Sequence, residues 1–261
     1  MGNHVFLNIA KQALNVKRFP TLISKVFQRL TDQKQTQDQA ENMAWLKSHQ
    51  QDFAIYAQQL NSELWQEALT YSEQLSAHAD GVLSKLNVTL GGGGFYPLIY
   101  FITRYRKPNT ILETGVAAGY SSHAFLSAIE QNRNEGSDVG TLHSSDFPYF
   151  RLENPEKYIG ILVPDTLKPH WHLHIDGDAK NLPRILDSVS QVDLFHYDSD
   201  KRYAGRQKAM ELVSLKLTDG GLVIMDDIHD NTFFMELCQR SGKPFKIFEF
   251  EGKHIGLLGE L

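Results

Sequence analysis

Apolar residues follow two different rhythms along the chain. Phe53, Tyr56, Leu60, Leu64, Ala68, Tyr71 and Leu75 recur every three or four positions, which lines them along one stripe of a long helix. Residues 1 to about 86 keep to this habit. They are rich in Gln, Lys, Glu, Ala and Leu and hold only Gly2, Gly81 and Pro20 as breakers, so the region is predicted helical. Residues 31–41, dense in Gln, Asp and Thr, lack the stripe and read as an exposed link between helical segments. After the glycine run 91–94 the pattern changes to short β-rich runs at 110–113, 140–145, 171–175, 192–197, 222–225, 245–250 and 254–258. Helical stretches separate the first five, the signature of parallel βαβ units. Only Glu251, Gly252 and Lys253 separate the last two, too few for a crossover, so they are predicted to form an antiparallel hairpin. The expected fold is α/β: a doubly wound, mostly parallel seven-stranded sheet with a C-terminal antiparallel hairpin, plus an N-terminal helical region. Residues 1–90 would form a helical extension serving as a substrate lid or dimerisation arm, and residues 91–261 the ligand-binding domain.

Composition narrows the classes of function. The 261 residues are 41% hydrophobic and 22% charged, an ordinary globular mixture. The formal charge of -5 provides no basic field for a polyanion, which argues against nucleic acid as a partner. No window approaches the roughly 20 apolar residues of a membrane span. His4, Asn8, Lys11 and Gln12 interrupt any secretory apolar core, and Phe6 stands where a myristoylation signal needs Ser or Thr, so a cytoplasmic protein is expected. The single cysteine, Cys238, excludes an intrachain disulfide and reads as a small buried helix residue.

The segment from Ile111 to Ser122 carries the most chemistry. An apolar run ends in Glu113, and a turn bearing Gly115 and Gly119 then opens a helix, so backbone N–H groups and a positive helix terminus face the carboxyl edge of the strand. An anionic or zwitterionic ligand is predicted there. The two glycines are four apart, outside the dinucleotide frame, and Glu113 would repel a pyrophosphate while suiting an ammonium group, which favours S-adenosylmethionine over NAD. Glu113-x-Gly115-x-x-x-Gly119-Tyr120-Ser121 resembles the first motif of class I S-adenosylmethionine-dependent methyltransferases. Its Gly-Tyr-Ser ending is similar to the small-molecule O-methyltransferases that use a divalent cation. The resemblance runs from about residue 91 to 261. It implies that Glu113 lies near the methionine amino group, that Gly115 and Gly119 let the backbone approach the cofactor, and that Ser121 holds the methionine carboxylate. It assigns Asp146, ending the second strand, to the ribose diol. Asp178, in the turn after the third strand, becomes a candidate for adenine contact, with Asp176 equally placed.

Two acidic clusters bear on mechanism. The run 192–197 leads into Asp198, and the run 222–225 leads into Asp226 and Asp227. On neighbouring strands these acids would share one edge with the glycine turn, and a hard divalent cation, magnesium, would relieve their repulsion. Resemblance to cation-dependent O-methyltransferases implies Asp198, Asp226 and Asp227 as its ligands. Relatives acting on phenols commonly have Asn where Asp227 stands, which points toward sugar-modifying macrocin-type enzymes. Lys201, however, matches the phenol enzymes, so the subfamily stays open. Lys201 and His229 are competing general bases for a small-molecule acceptor hydroxyl. The glycines at 91–94 imply a hinge or a close main-chain approach to a ligand, with Phe95 and Tyr96 able to exclude water. The helical stripe must pack on the sheet or on a second subunit, with Trp45, Phe53 and Trp65 as contacts and a homodimer as one outcome. The alternatives are a metal-independent methyltransferase and a non-catalytic cofactor-binding protein.

Overall fold

The computed structural model describes residues 39–86, 88–92, 94–137, 140–149 and 152–261. Residues 1–38 of the predicted N-terminal helical region, which include residues 31–38 of the predicted link, lie outside this range. Residues 39–41 of that link begin a helix.

Among the described residues, helices α1 (Gln39–His49), α2 (Phe53–Leu83) and α3 (Tyr96–Arg106) precede the sheet. Then come β1 (Thr110–Thr114), α4 (Tyr120–Asn134), β2 (Thr141–Ser145), β3 (Trp171–His174), α5 (Asp178–Ser188), β4 (Val192–Tyr197), α6 (Tyr203–Val213), β5 (Leu217–Met225), α7 (Phe233–Ser241), β6 (Phe245–Phe250) and β7 (Lys253–Leu258). The strand order is β3-β2-β1-β4-β5-β7-β6. β1 to β5 are mutually parallel, and β7 is antiparallel to both β5 and β6. Glu251 and Gly252 join the hairpin with φ of 51° and 77°, the backbone a tight two-residue turn requires.

Strand alternation divides the core between the two faces of the sheet. Ile111, Leu194, Leu222 and Ile224 face α2, α3 and α4, while Leu112, Phe195, Val223 and Met225 face α5, α6 and α7. The helix α3 lies between α2, α4 and the sheet, and Leu98 to Arg104 are buried all the way round it. Cys238 is buried on α7, and burial pushes its thiol pKa up to about 12, which leaves it inert at neutral pH.

Two elements depart from the apolar rhythm. β5 begins at Leu217, five residues before the predicted strand, because Gly220 and Gly221 interrupt an otherwise continuous strand. The helix α2 is capped by Asp52, which accepts from Ala54 N (2.7 Å) and Ile55 N (3.2 Å), and then kinks at Asn61 (φ -163°, ψ 102°). Asn61 Oδ1 accepts from Leu64 N at 2.9 Å and restarts the helix. The kink shifts the buried face: Phe53 and Ala57 precede it and Trp65, Ala68, Tyr71, Leu75 and Ala79 follow, leaving Tyr56, Leu60 and Leu64 only half-buried.

The helical stripe packs on its own sheet domain. Phe53 meets Phe248 of β6 (4.9 Å between ring centroids) and Phe101 of α3 (5.8 Å), Trp65 meets Phe101, and Trp45 stacks on Phe245 (5.2 Å). The α1–α2 joint also touches the outer edge of β6: Gln50 bridges Ile247, and Gln51 N donates to Ile247 O at 2.8 Å.

Tyr71 donates to or accepts from His123 Nδ1 at 2.7 Å where α2 meets α4, and burial with His78 nearby lowers the His123 pKa to about 4. A depressed folded-state pKa contributes stability that is present above the unfolded value near 6.5 and is lost as pH falls toward 4. The His123→Gln variant is therefore expected to lose less stability than the wild type between pH 7 and 4.5. The difference should be about 2 kcal/mol, read from urea midpoints at the two pH values.

Candidate active site

The turn after β1 has the conformation its glycines allow. Gly115 (φ +86°) and Gly119 (φ +100°) are both left-handed. A Cβ at Gly115 would overlap the Asp198 carbonyl, and one at Gly119 would lie 2.8 Å from Gly160 Cα. Gly115 thus packs against the end of β4, and Gly119 against the loop before β3. Gly119 caps α4 without any side-chain hydrogen bond, so the first turn of this helix keeps backbone N–H groups for a ligand.

The predicted cofactor residues gather around this turn, but their side chains are spent on the protein. Glu113 is fully buried and accepts from Ser121 Oγ (2.5 Å), Ser122 Oγ (2.6 Å) and Ser144 Oγ (2.6 Å). The Ser121 hydroxyl, expected on a ligand carboxylate, faces Glu113. Asp146 Oδ2 accepts from Val116 N (3.1 Å) and Ala117 N (2.7 Å), so this acid holds the glycine turn, with Ala117 itself left-handed at φ +50°. Burial raises the Asp146 pKa to about 6 against its backbone hydrogen bonds. Asp178, the first residue of α5, accepts from Ser145 Oγ and Ser199 Oγ, both at 2.6 Å. Asp176 instead points outward to Arg184 (2.9 Å).

The acidic clusters emerge beside the turn because of strand register. Asp198 N donates to Thr114 O (3.0 Å), and Asp226 N donates to Tyr197 O (3.0 Å), so β1, β4 and β5 deliver Gly115, Asp198 and Asp226 side by side. Lys201 Nζ contacts Asp198 Oδ1 and lies 2.9 Å from Asp227 Oδ2, with Lys253 Nζ 3.8 Å from Asp227 Oδ1. Burial and the neighbouring Asp226 raise the Asp198 pKa to about 6. Burial alone would lower the Lys201 pKa, but Asp198, Asp227 and Asp226 outweigh it and hold it above the ordinary lysine value. Burial would raise Asp227, yet Lys201 holds it low. Lys201 is therefore an ammonium ion here, which does not suit the role of general base expected from the sequence. His229 sits in the loop after Asp227, with Nε2 3.5 Å from Asp230 Oδ1.

Asp226 differs from its neighbours. It is 1% exposed and neither carboxylate oxygen has a hydrogen-bond partner among the described residues. A Cβ at Gly94 would fall 2.6 Å from Asp226 Oδ2, so the close approach expected of the glycine run is to this carboxylate. The predicted magnesium site is not assembled. Among the described residues no three His, Cys, Asp or Glu side chains are grouped to hold a metal ion. The Lys201 ammonium stands between Asp198 and Asp227, and Asp226 is packed inward, so the residues as arranged do not fit the cation.

His196, not singled out from sequence, and the aromatic residues expected at 95 and 96 complete the site. His196 is fully buried, with Nδ1 3.9 Å from Glu113 Oε1 and Nε2 3.8 Å from Asp226 Oδ1. Burial opposes its charge, but Asp226, Asp198 and Glu113 prevail and hold its pKa above the ordinary value. A histidine inside the apolar run 192–197 is the one signal that could have marked it. Tyr96 stacks on Tyr120 (5.8 Å), and Phe95 stacks on Phe250 (4.4 Å), which walls the same edge with aromatic rings.

The sheet order, the reversed final strand and the glycine turn at the carboxyl edge of β1 define a class I methyltransferase fold. Residues 112–228 match the methyltransferase-domain family. No curated protein matches the sequence. Among solved structures it is similar to the O-methyltransferase TomG from Streptomyces achromogenes, involved in tomaymycin synthesis and in complex with SAM. That match has 16% identity and a TM-score of 0.53, over 72% of this chain and 89% of that one. It is also similar to a putative caffeoyl-CoA O-methyltransferase from Staphylococcus aureus (16%, TM-score 0.52, 72% and 91%). A third is an O-methyltransferase from Bacillus cereus in complex with SAH (14%, TM-score 0.52, 76% and 91%). Among the described residues no helix is long and apolar enough to cross a membrane.

Proposed function

We propose that this protein transfers a methyl group from S-adenosylmethionine to a hydroxyl oxygen of a small molecule. The observation that carries the reading is the contact between the two halves of the site: the Gly115 backbone abuts Asp198, whose carboxylate meets Lys201. The uncapped start of α4 and the turn held by Asp146 suit a cofactor bearing a carboxylate. Bound there, the cofactor supplies a sulfonium-activated methyl group. The protein's task is to align the acceptor and to stabilise the negative charge growing on its oxygen. Lys201, kept protonated by the surrounding acids, supplies that positive charge. The hydroxyl's proton leaves to the Asp198 carboxylate or to His229, since Lys201 is already protonated, and the aromatic wall of Tyr96, Tyr120 and Phe250 keeps water out.

Magnesium-assisted transfer is the second reading: a cation would have to displace the Lys201 ammonium from Asp198 and Asp227, and the Asp226 oxygens, which accept no hydrogen bond among the described residues, favour it. One experiment separates the two. SAH is titrated by calorimetry with and without magnesium, and methyl transfer from tritiated SAM is scored against phenolic and sugar acceptors in excess EDTA. The proposal expects SAH binding without metal and turnover that survives EDTA. Turnover restored only by magnesium would establish the second reading, and absence of SAH binding would end both.

A further inference from the structure

The acidic loop that follows β5 is held by side chains from distant parts of the chain, and every one of these bonds ends on a main-chain carbonyl. Asn42 of α1 is fully buried, and its Nδ2 donates to Ile228 O and Asn231 O, both at 3.0 Å. Arg206 of α6 is fully buried too, and its Nη2 donates to Asp226 O (3.0 Å) and Asp227 O (2.8 Å). Asn231 Nδ2 in turn donates to Lys201 O at 2.7 Å. Between these anchors Asp227 adopts φ +53°, a left-handed conformation that a non-glycine residue keeps only where its surroundings impose it.

We infer that Asn42 and Arg206 are positioning residues that clamp the backbone of the Asp226–Asn231 loop, so that the helical arm sets the geometry of the Asp198, Lys201 and Asp227 cluster. The argument rests on chemistry and place. Asn42 and Arg206 are polar groups in a layer that is otherwise Leu46, Phe233, Phe234, Ile228 and Met210. Apolar residues of similar volume would serve packing as well or better, and a buried polar group specifies one arrangement by leaving unpaired partners in any other. Through Asn231 the same chain of bonds reaches Lys201, so one clamp governs both strands of the acidic cluster. The claim that this matters for turnover rests on the proposed function; the claim that the clamp holds the loop does not.

The test uses full-length protein. Asn42→Asp keeps the shape and replaces a donor by an acceptor facing two carbonyls, and Asn42→Ser is a milder variant should the first fail to fold. Arg206→Lys keeps one donor as the conservative control. Hydrogen exchange is followed by mass spectrometry, with SAH affinity measured in parallel. Exchange of the 226–231 amides should speed up about tenfold in Asn42→Asp and less in Arg206→Lys, with β1 and β4 protected as in the wild type. SAH affinity should stay within about twofold, and in the tritiated assay kcat should fall while KM for SAM holds. Unchanged exchange at 226–231, or an equal loss of protection across the whole sheet, would overturn the clamp. A wild type that does not bind SAH would instead overturn the proposed function and leave the exchange result readable.

Discussion

Lys201→Ala is expected to lower methyl transfer by about 10²- to 10³-fold while SAH affinity stays within about threefold, because the positive charge acts on the developing oxyanion and not on the cofactor. The same substitution should destabilise the fold. Breaking a buried ion pair costs about 3–5 kcal/mol. Lys201 is 30% exposed, and solvent screening brings the expected loss nearer about 2 kcal/mol. The loss should depend on pH in a definite direction. Asp198 has its folded-state pKa raised to about 6 by burial and by Asp226, so its protonation favours the folded state at low pH, and that advantage disappears as pH rises through 6. Removing Lys201 raises this pKa further. The deficit of the variant should therefore be largest above pH 6 and smallest near pH 4, as measured by urea unfolding. Undiminished turnover in Lys201→Ala would remove the ammonium from the reaction.

Gly115→Ala should be strongly damaging. The added methyl group would overlap the Asp198 carbonyl, and the backbone at φ +86° disfavours any side chain. Left-handed strain of about 1–2 kcal/mol and overpacking of about 1–3 kcal/mol together give an expected loss of about 3 kcal/mol. Because relief requires β1 and β4 to move apart at the turn, SAH affinity should fall more than about tenfold. Gly81→Ala provides the contrast. That glycine lies within α2, and nothing comes within 4 Å of the place an added methyl group would take, so alanine should stabilise by about 0.5–1 kcal/mol. SAH binding by Gly115→Ala at wild-type strength would separate the glycine turn from the cofactor site.

What was readable in the sequence, and what was not, follows from the kind of interaction involved. The runs at 110–113 and 192–197 could be read because parallel strands buried on both faces are mostly apolar stretches, and each has a strand in its place. The glycine turn was readable because β1, Gly115 and α4 follow one another directly in the chain. The kink at Asn61 was hidden, since a helix can restart in a new phase without any change of composition. The early start of β5 was hidden behind Gly220 and Gly221, which look like a turn. Asn42 and Arg206 left no trace, because a side chain bonded to a distant carbonyl has no partner residue type to match. The approach of Gly94 to Asp226 was missed for a related reason: the sequence implied a close neighbour without identifying it. The Ser121 hydroxyl was expected on a ligand carboxylate, whereas it meets Glu113 together with the hydroxyls of Ser122 and Ser144.

The short contact of Gln50 and Gln51 with Ile247 has a consequence for association. β6 is the last strand on its side of the sheet, and an open strand rim of this kind invites pairing with another polypeptide. The α1–α2 joint lies across that rim, and Lys246 sits over the Tyr56 ring at 5.0 Å from its centroid. Detaching the joint would leave a hydrogen-bonding template bare at Ile247, so insolubility and self-assembly should accompany any lesion that loosens these two glutamines.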